Sequence, residues 1–383
     1  MKKPVVAHLI DSLSPDRPSW FNLLIKNLGG ENYVFPEKYD NSDNNHAKNL
    51  NVIYGKSMIN ELPTFLTRAL RPLNNKIRFV YLKNNIKKIK ANIIHAHFAH
   101  VGWEAIKLKK ALKLPLVVSF YGYDYQSVPF KYPIWKKRYK TLFQKVDKIV
   151  CEGYHGKKIL LDMGCNEAKI EICKLGIEVK KIALNKRNKD KNSLKMIQIA
   201  NMVDKKGHKH ALLAFADALK SCPNMHLTFI GNGTNRAKIM QFIEMNNLKE
   251  NITVMNDIDY ASLHNILDDY NVFIHPSCYS DDMDCEGGAP IVLLDAQAAG
   301  LPIISTKHCD IPDEVSQNKS GFLADEKNNE QLVGYIKKFY EMSPIDYTVF
   351  SKNARSHIEE NYDISNNRKK FDALYSKLLI GFT

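Results

Sequence analysis

The chain has 383 residues, 44% of them apolar and 25% charged, with a net charge of +14. That length is too great for one ordinary hydrophobic core and fits two domains, and no apolar run approaches the ~18 residues that a membrane-spanning helix needs. The positive excess sits wholly in the first half, where residues 1–178 hold 30 Lys and Arg against 15 Asp and Glu, while the remainder holds 25 against 26.

Such asymmetry implies an anionic partner for the first half: a membrane surface, a lipid diphosphate or nucleic acid. Seven scattered cysteines form no Cys-x-x-Cys pair. They read as reduced, small core side chains, which suggests a cytoplasmic protein. The first ten residues are basic and briefly apolar. Asp11 comes too early for a signal-peptide core, so Val5–Ile10 reads as a β-strand.

Further strands are expected at Asn51–Tyr54, Asn92–Ala96, Leu116–Phe120, Lys148–Cys151 and Ile170–Cys173, with amphipathic helices such as Trp20–Leu28 and Trp103–Leu112 between them. Alternating βα units indicate a parallel sheet covered by helices. The stretch Leu62–Lys90 carries Arg68, Arg71, Lys76, Arg78, Lys83, Lys87, Lys88 and Lys90 and no acid. Leu66, Leu70, Leu73, Ile77 and Val80 follow near-helical spacing, which suits a surface for anionic lipid. His95, His97 and His100 end a strand without a Cys or carboxylate cluster, so they read as cleft or core residues rather than a zinc site. From Phe120 to Lys140, aromatic and basic residues interleave. That pattern serves base stacking, a membrane interface or simply a packed helix.

Lys180–Lys191, rich in Lys and Asn, reads as a linker. The alternation then restarts with strands at Met196–Ala200, Leu227–Ile230, Ile252–Met255, Val272–His275, Ile303–Thr306 and Gly321–Ala324. Helices are expected at Lys209–Lys220, Ala237–Asn246 and Ala261–Asp268, and Tyr347–Leu379 reads as helical. The expected division is 1–185, 192–350 and a helical tail, 351–383. Two doubly wound α/β domains would face one cleft at the C-terminal edges of their sheets, where such folds bind ligands.

Three loops of the second half carry candidate chemistry. Ala200-Asn-Met-Val-Asp-Lys-Lys-Gly207 follows a strand and offers Lys206 as a cation. Gly231 and Gly233 form a Gly-x-Gly turn, which alone is weak. Most informative is Asp284-Cys-Glu-Gly-Gly-Ala-Pro290, running into an apolar helix that carries Asp295. A Gly-rich loop opening a helix presents amides and the positive end of a helix dipole to an anion. Here those amides belong to Gly287, Gly288 and Ala289, and Pro290 suits the first helical position. Glu286 and Asp295 add acceptors for sugar hydroxyls. Asp281, Asp282 and Asp284 invite a metal reading, but a solvated acidic loop accounts for them better.

These loops resemble the signature of the retaining glycosyltransferase family 4, which has the GT-B fold. The family usually reads Glu, seven residues, Glu; this chain has Glu286, eight residues, then Asp295. The resemblance implies that Glu286 contacts the transferred sugar and that Lys206 holds the donor diphosphate, and both are the catalytic candidates. It implies that Gly231, Gly233, the 286–290 segment and Asp295 line the donor site, with Asp295 on the ribose. Asn201 replaces the family's arginine. In the first domain Tyr121, Gly122 and Asp124 match the family's His-Gly-x-Asp with Tyr in place of His, and with His97 they are candidate acceptor-cleft residues.

The implied activity is metal-independent transfer from a nucleotide-diphosphate sugar to a surface-polysaccharide or lipid-linked saccharide acceptor, with no cofactor. The protein would lie on the cytoplasmic face of a membrane through its basic domain, and the family precedent implies that the tail crosses back onto that domain. Two rival readings remain from the sequence: a sugar-nucleotide-binding protein with weak or no turnover, and a basic nucleic-acid-binding protein.

Overall fold

The computed structural model describes residues 3–13, 20–39, 50–55, 64–185, 187 and 189–381, with the side chains of 64–71 and 261 excluded. The first sheet contains β1 (Val5–Leu13), β2 (Glu31–Tyr39), β3 (Asn51–Val52), β4 (Ile93–His97), β5 (Leu116–Ser119), β6 (Lys148–Cys151) and β7 (Ile170–Ile172). Their order is β3-β2-β1-β4-β5-β6-β7, every pairing parallel. The second sheet contains β8 (Leu194–Ile199), β9 (Met225–Ile230), β10 (Ile252–Met255), β11 (Val272–His275), β12 (Ile303–Thr306) and β13 (Gly321–Ala324), in the parallel order β10-β9-β8-β11-β12-β13. Five of these strands, β4, β5, β11, β12 and β13, are short and buried throughout, as expected of parallel sheets covered on both faces.

Strand order reverses between β1 and β4 in one sheet and between β8 and β11 in the other. Open α/β sheets leave a crevice at that reversal, outside the strand C-termini. The loops after β8 and β11 are therefore placed at the natural ligand position of the second domain.

One strand, β2, was not anticipated from the sequence, because Pro36, Glu37 and Lys38 break its pattern. The register explains how Pro36 is tolerated. The Val34 carbonyl accepts from Ile53 N on the outer side of β2 at 2.8 Å, so Pro36 faces the same side. β3 pairs only with Tyr33 and Val34, leaving no partner there for the missing N–H.

Two basic residues of the linker are buried. Arg187 is buried and donates to the carbonyls of Ala299 at 2.8 Å, Leu267 at 2.7 Å and Tyr270 at 3.1 Å. Lys189, also buried, donates to the Tyr340 and Met342 carbonyls at 3.1 and 3.2 Å. These carbonyls lie at helix C-termini, where the dipole and the orphan acceptors favour a cation.

The chain crosses between domains twice, at one place. Ile177 N donates to Tyr362 O, and Ile364 N donates back to Ile177 O. The final helix, Ile364–Gly381, then packs Phe371, Leu374, Tyr375 and Leu378 against Val6, Ile10, Phe21 and Leu24 of the first domain. Phe371 is 2% exposed there. Phe371→Ala should cost about 3–5 kcal/mol, and urea denaturation followed by circular dichroism would measure it. A loss under about 1 kcal/mol would contradict this docking.

Candidate active site

Lys206 ends a 3-10 turn, Asp204–Lys206, in the loop after β8. Its ammonium donates to Glu286 Oε2 at 2.7 Å. The other carboxylate oxygen of Glu286 accepts from Ser277 Oγ at 2.8 Å, just beyond β11, and lies 3.5 Å from His275 Nε2. Burial by itself would raise the Glu286 pKa. Lys206, then His275 and Lys205, outweigh it and hold the carboxyl well below its usual range. The switch-point loops thus build a buried, ionised carboxylate paired to a cation.

The backbone of Glu286 is held as firmly as its side chain. Its N–H donates to His308 Nε2 at 3.2 Å, and His308 Nδ1 lies 2.7 Å from Glu326 Oε1. A carboxylate partner on Nδ1 fixes the proton there and leaves Nε2 as an acceptor. Lys205 Nζ reaches Asp284 and the Cys285 carbonyl, both at 3.1 Å. Asp282 forms an ion pair with Lys131 of the first domain. The acidic loop is therefore clamped by cations, not merely solvated as its sequence suggests.

Gly287 and Gly122 form a tight backbone approach between the two domains. A Cβ on Gly287 would lie 2.0 Å from Gly122 Cα, and one on Gly122 would lie 2.5 Å from the Glu286 carbonyl oxygen. Gly287 also has φ +84, which disfavours any side chain. Its amide donates to Cys309 Sγ at 3.4 Å. The amide of Gly288 is engaged by Glu152, which follows β6. Ala289 is half-buried. Pro290 is the N-cap of the helix Ile291–Ala298, one place earlier than expected. That helix, mostly apolar and buried from Leu293 to Ala298, enters the second-domain core.

Asp295 is 1% exposed, and its Oδ1 accepts from Tyr260 Oη at 2.8 Å with His264 Nε2 at 3.3 Å. Those neighbours lie on a separate helix, Tyr260–Leu267, and nothing local in the sequence announces them. Gly231 and Gly233 lie against the loop after β8: a Cβ on Gly231 would meet Ala200 O at 2.1 Å, and one on Gly233 would meet Met202 O at 2.6 Å. They let two loops touch backbone to backbone. Asn201 is exposed at their edge.

The first-domain candidates are arranged differently from expectation. Of the four, Gly122 lies against the donor loop through its backbone, with the Tyr121 carbonyl carbon beside it. His97 and Asp124 are wholly buried, and the Tyr121 hydroxyl points inward. Asp124 Oδ1 and Oδ2 accept from the amides of Ala99 and Tyr121, each at 3.0 Å. Burial pushes its carboxyl up to about 7 against the pull of those amides. It caps two helix starts and is not a cleft side chain.

Tyr121 belongs to a buried polar chain. Asn32 gives its amide protons to the carbonyls of Gly29 and Leu28, so its Oδ1 must accept from His8 Nε2, at 3.0 Å. In neutral His8 the other nitrogen accepts from His97 Nε2 at 3.1 Å, and His97 Nδ1 accepts from the Tyr121 hydroxyl at 2.8 Å. Burial holds His8 down at about 4 and His97 well below its usual value, so both stay neutral. His95 binds Tyr375 Oη at 2.7 Å and Ser119 Oγ at 2.8 Å. His8, His95 and His97 form the one group of metal-compatible spacing among the described residues, and each ring is already engaged in these bonds. His100 stands apart, 3.4 Å from Asp11.

Two parallel-sheet domains meeting at switch-point loops, with a cation–carboxylate pair beside a Gly-rich helix start, define a GT-B architecture. A family model described as "Glycosyl transferases group 1" matches residues 179–357, and one described as "Glycosyltransferase Family 4" matches residues 28–181. The chain belongs to this glycosyltransferase family and is a transferase.

It is 28% identical over 281 residues to the amylovoran biosynthesis glycosyltransferase AmsK of Erwinia amylovora, covering 73% of this chain and 68% of that protein. It is 23% identical over 343 residues to the UDP-Gal:alpha-D-GlcNAc-diphosphoundecaprenol alpha-1,3-galactosyltransferase of Escherichia coli, covering 83% of this chain and 84% of that one. Among solved structures, the fold resembles Anabaena HepE in complex with UDP, with a TM-score of 0.72 at 11% identity, over 97% of this chain and 100% of that one.

Sequence reasoning had no signal for Glu152, which only the fold brings to Gly288. Burial at the domain contact, then the charges of Asp310 and Glu286, push its carboxyl from 4.5 up to about 8. The folded protein thus keeps a proton that the unfolded chain releases between those values, so this group's contribution to stability falls as pH rises through that window. Glu152→Gln should flatten the corresponding part of the curve of thermal midpoint against pH. Parallel curves for both proteins would contradict the assignment.

Proposed function

We propose that this transferase moves a sugar from a nucleotide-diphosphate sugar to a hydroxyl of a saccharide acceptor in polysaccharide or lipid-linked oligosaccharide assembly, with retention at the anomeric carbon. The observation that carries the reading is the Lys206–Glu286 pair, 2.7 Å apart at the switch point and beside the Gly287–Gly288 backbone. The departing nucleoside diphosphate gains negative charge as the glycosidic bond breaks, and a fixed cation in a buried site stabilises that charge. Lys206 supplies the cation. Glu286, kept ionised, supplies acceptor oxygens for hydroxyls of the transferred sugar. No step calls for a metal.

The names of the two curated relatives support the substrate classes, and HepE, which shares the fold, was solved in complex with UDP, in keeping with a nucleotide-linked donor. Association with an anionic membrane face is part of the proposal. Of the basic helix Thr64–Lys88, the side chains of Leu66, Arg68, Leu70 and Arg71 lie outside the described residues. Beyond them, Leu73, Ile77 and Val80 are 53%, 56% and 47% exposed, an apolar stripe on a helix rich in Lys and Arg. No helix among the described residues is long and apolar enough to cross a membrane.

Glu286→Gln and Lys206→Ala should keep the wild-type circular dichroism spectrum and lose about 10²–10³-fold in transfer rate. Wild-type turnover in both would overturn the assignment. Turnover should persist unchanged in excess chelator, and a product NMR spectrum showing an inverted anomeric centre would refute retention.

A further inference from the structure

We propose that a pocket on the first domain, beside the donor loop, binds the apolar chain of a single-chain lipid phosphate. The inference rests on the transferase reading above and specifies the chemistry of its acceptor. The pocket has a volume of about 500 Å³, in the range of small-molecule sites. Tyr125, Phe130, Tyr139, Ile159 and Met163 form its apolar lining on the first domain, and Met283 reaches in from the second. An adjoining pocket of about 520 Å³ shares Lys140 and Met163 and continues past Phe143 along the helix Ile134–Lys145. Together they make an elongated trough, apolar along these side chains and Phe143 and polar at the far end, where Gln144, Asn166 and Lys169 line it.

Three observations give the occupant its chemistry. Lys136 and Lys140 line the pocket, and Asp162 is the one acid among its lining residues. Lys131, Lys137 and Arg138 belong to the same segment. This is a cationic rim over an apolar floor, complementary to an anionic head on an apolar tail. Phe130, Tyr132 and Ile134 at the same place are 59%, 55% and 53% exposed. Exposed rings beside lysines are the pattern of a headgroup interface, through which a chain can enter from a bilayer.

Met283 connects the trough to the chemistry. It has φ +60, unusual for a residue with a side chain, in the loop that also carries Glu286. The Lys131–Asp282 ion pair ties that loop to the pocket's own segment. A lipid phosphate seated in the trough would hold its head on Lys136 and Lys140, in the pocket whose lining includes Met283 of the loop that carries Glu286.

The test uses farnesyl phosphate as probe, titrated calorimetrically against the full chain and against Met163→Trp, which fills the pocket. A second variant, Lys136→Glu with Lys140→Glu, changes only exposed side chains and so should fold. Saturable binding by the wild type, at least about tenfold weaker in both variants and weaker for farnesol, is expected. Unchanged affinity in the lysine variant would overturn the proposal. So would a lysine variant that loses phosphatidylglycerol vesicles but keeps farnesyl phosphate, which would make the patch a membrane surface only. A wild type that binds a nucleoside diphosphate but not farnesyl phosphate would overturn the pocket and leave the transferase reading standing. Failure to bind either would overturn both.

Discussion

An ionised carboxylate inside a protein needs a partner, and for Glu286 that partner is Lys206. Removing the two charges from water costs several kcal/mol per ion unless geometry and hydrogen bonds repay it. Here Ser277 takes one oxygen, Lys206 takes the other, and the backbone N–H rests on a histidine whose proton Glu326 fixes. The parts come from the loops after β8, β11 and β12 and from beyond β13, so the pair forms only once the second sheet is assembled. Such over-determined geometry is what electrostatic stabilisation of a departing diphosphate requires.

The same loop also sets how the domains meet. Gly287 and Gly122 approach too closely for any side chain on either, so the contact is backbone against backbone. Behind Gly122, the Tyr121–His97–His8–Asn32 chain anchors the first-domain loop to β1, β2 and β4. Every member of that chain is hydrogen-bonded, and a fully satisfied buried network stiffens the region around it. Tyr375, from the returning helix, enters the same neighbourhood through His95. The C-terminal segment thereby supports the cleft from behind rather than merely covering a sheet.

Most of the fold was legible because parallel strands buried on both faces write themselves as short apolar runs; Val272–His275 and Ile303–Thr306 match the observed strands residue for residue. β2 was not, because a strand beyond the reach of its short neighbour can carry Pro36 and charged residues. The linker's composition hides the burial of Arg187 and Lys189, which depends on helix C-termini far along the chain. At the site, Glu286, Lys206 and the glycines were visible as a local motif. The inward turn of Tyr121 and the capping role of Asp124 were not, since both depend on partners, His97 and Ala99, whose relation to them exists only in three dimensions. Glu152, His308 and Glu326 escaped for the same reason.

The central claim is that Lys206 and the loop at Glu286 form the diphosphate end of a sugar-nucleotide site. Calorimetric titration of the wild type and Lys206→Ala with uridine, guanosine, adenosine, cytidine and thymidine diphosphates tests it most directly. The account predicts that at least one binds the wild type, and that Lys206→Ala weakens that binding about tenfold or more while the protein remains folded. Equal affinity in the two proteins, or no binding of any of the five to the wild type, would contradict it.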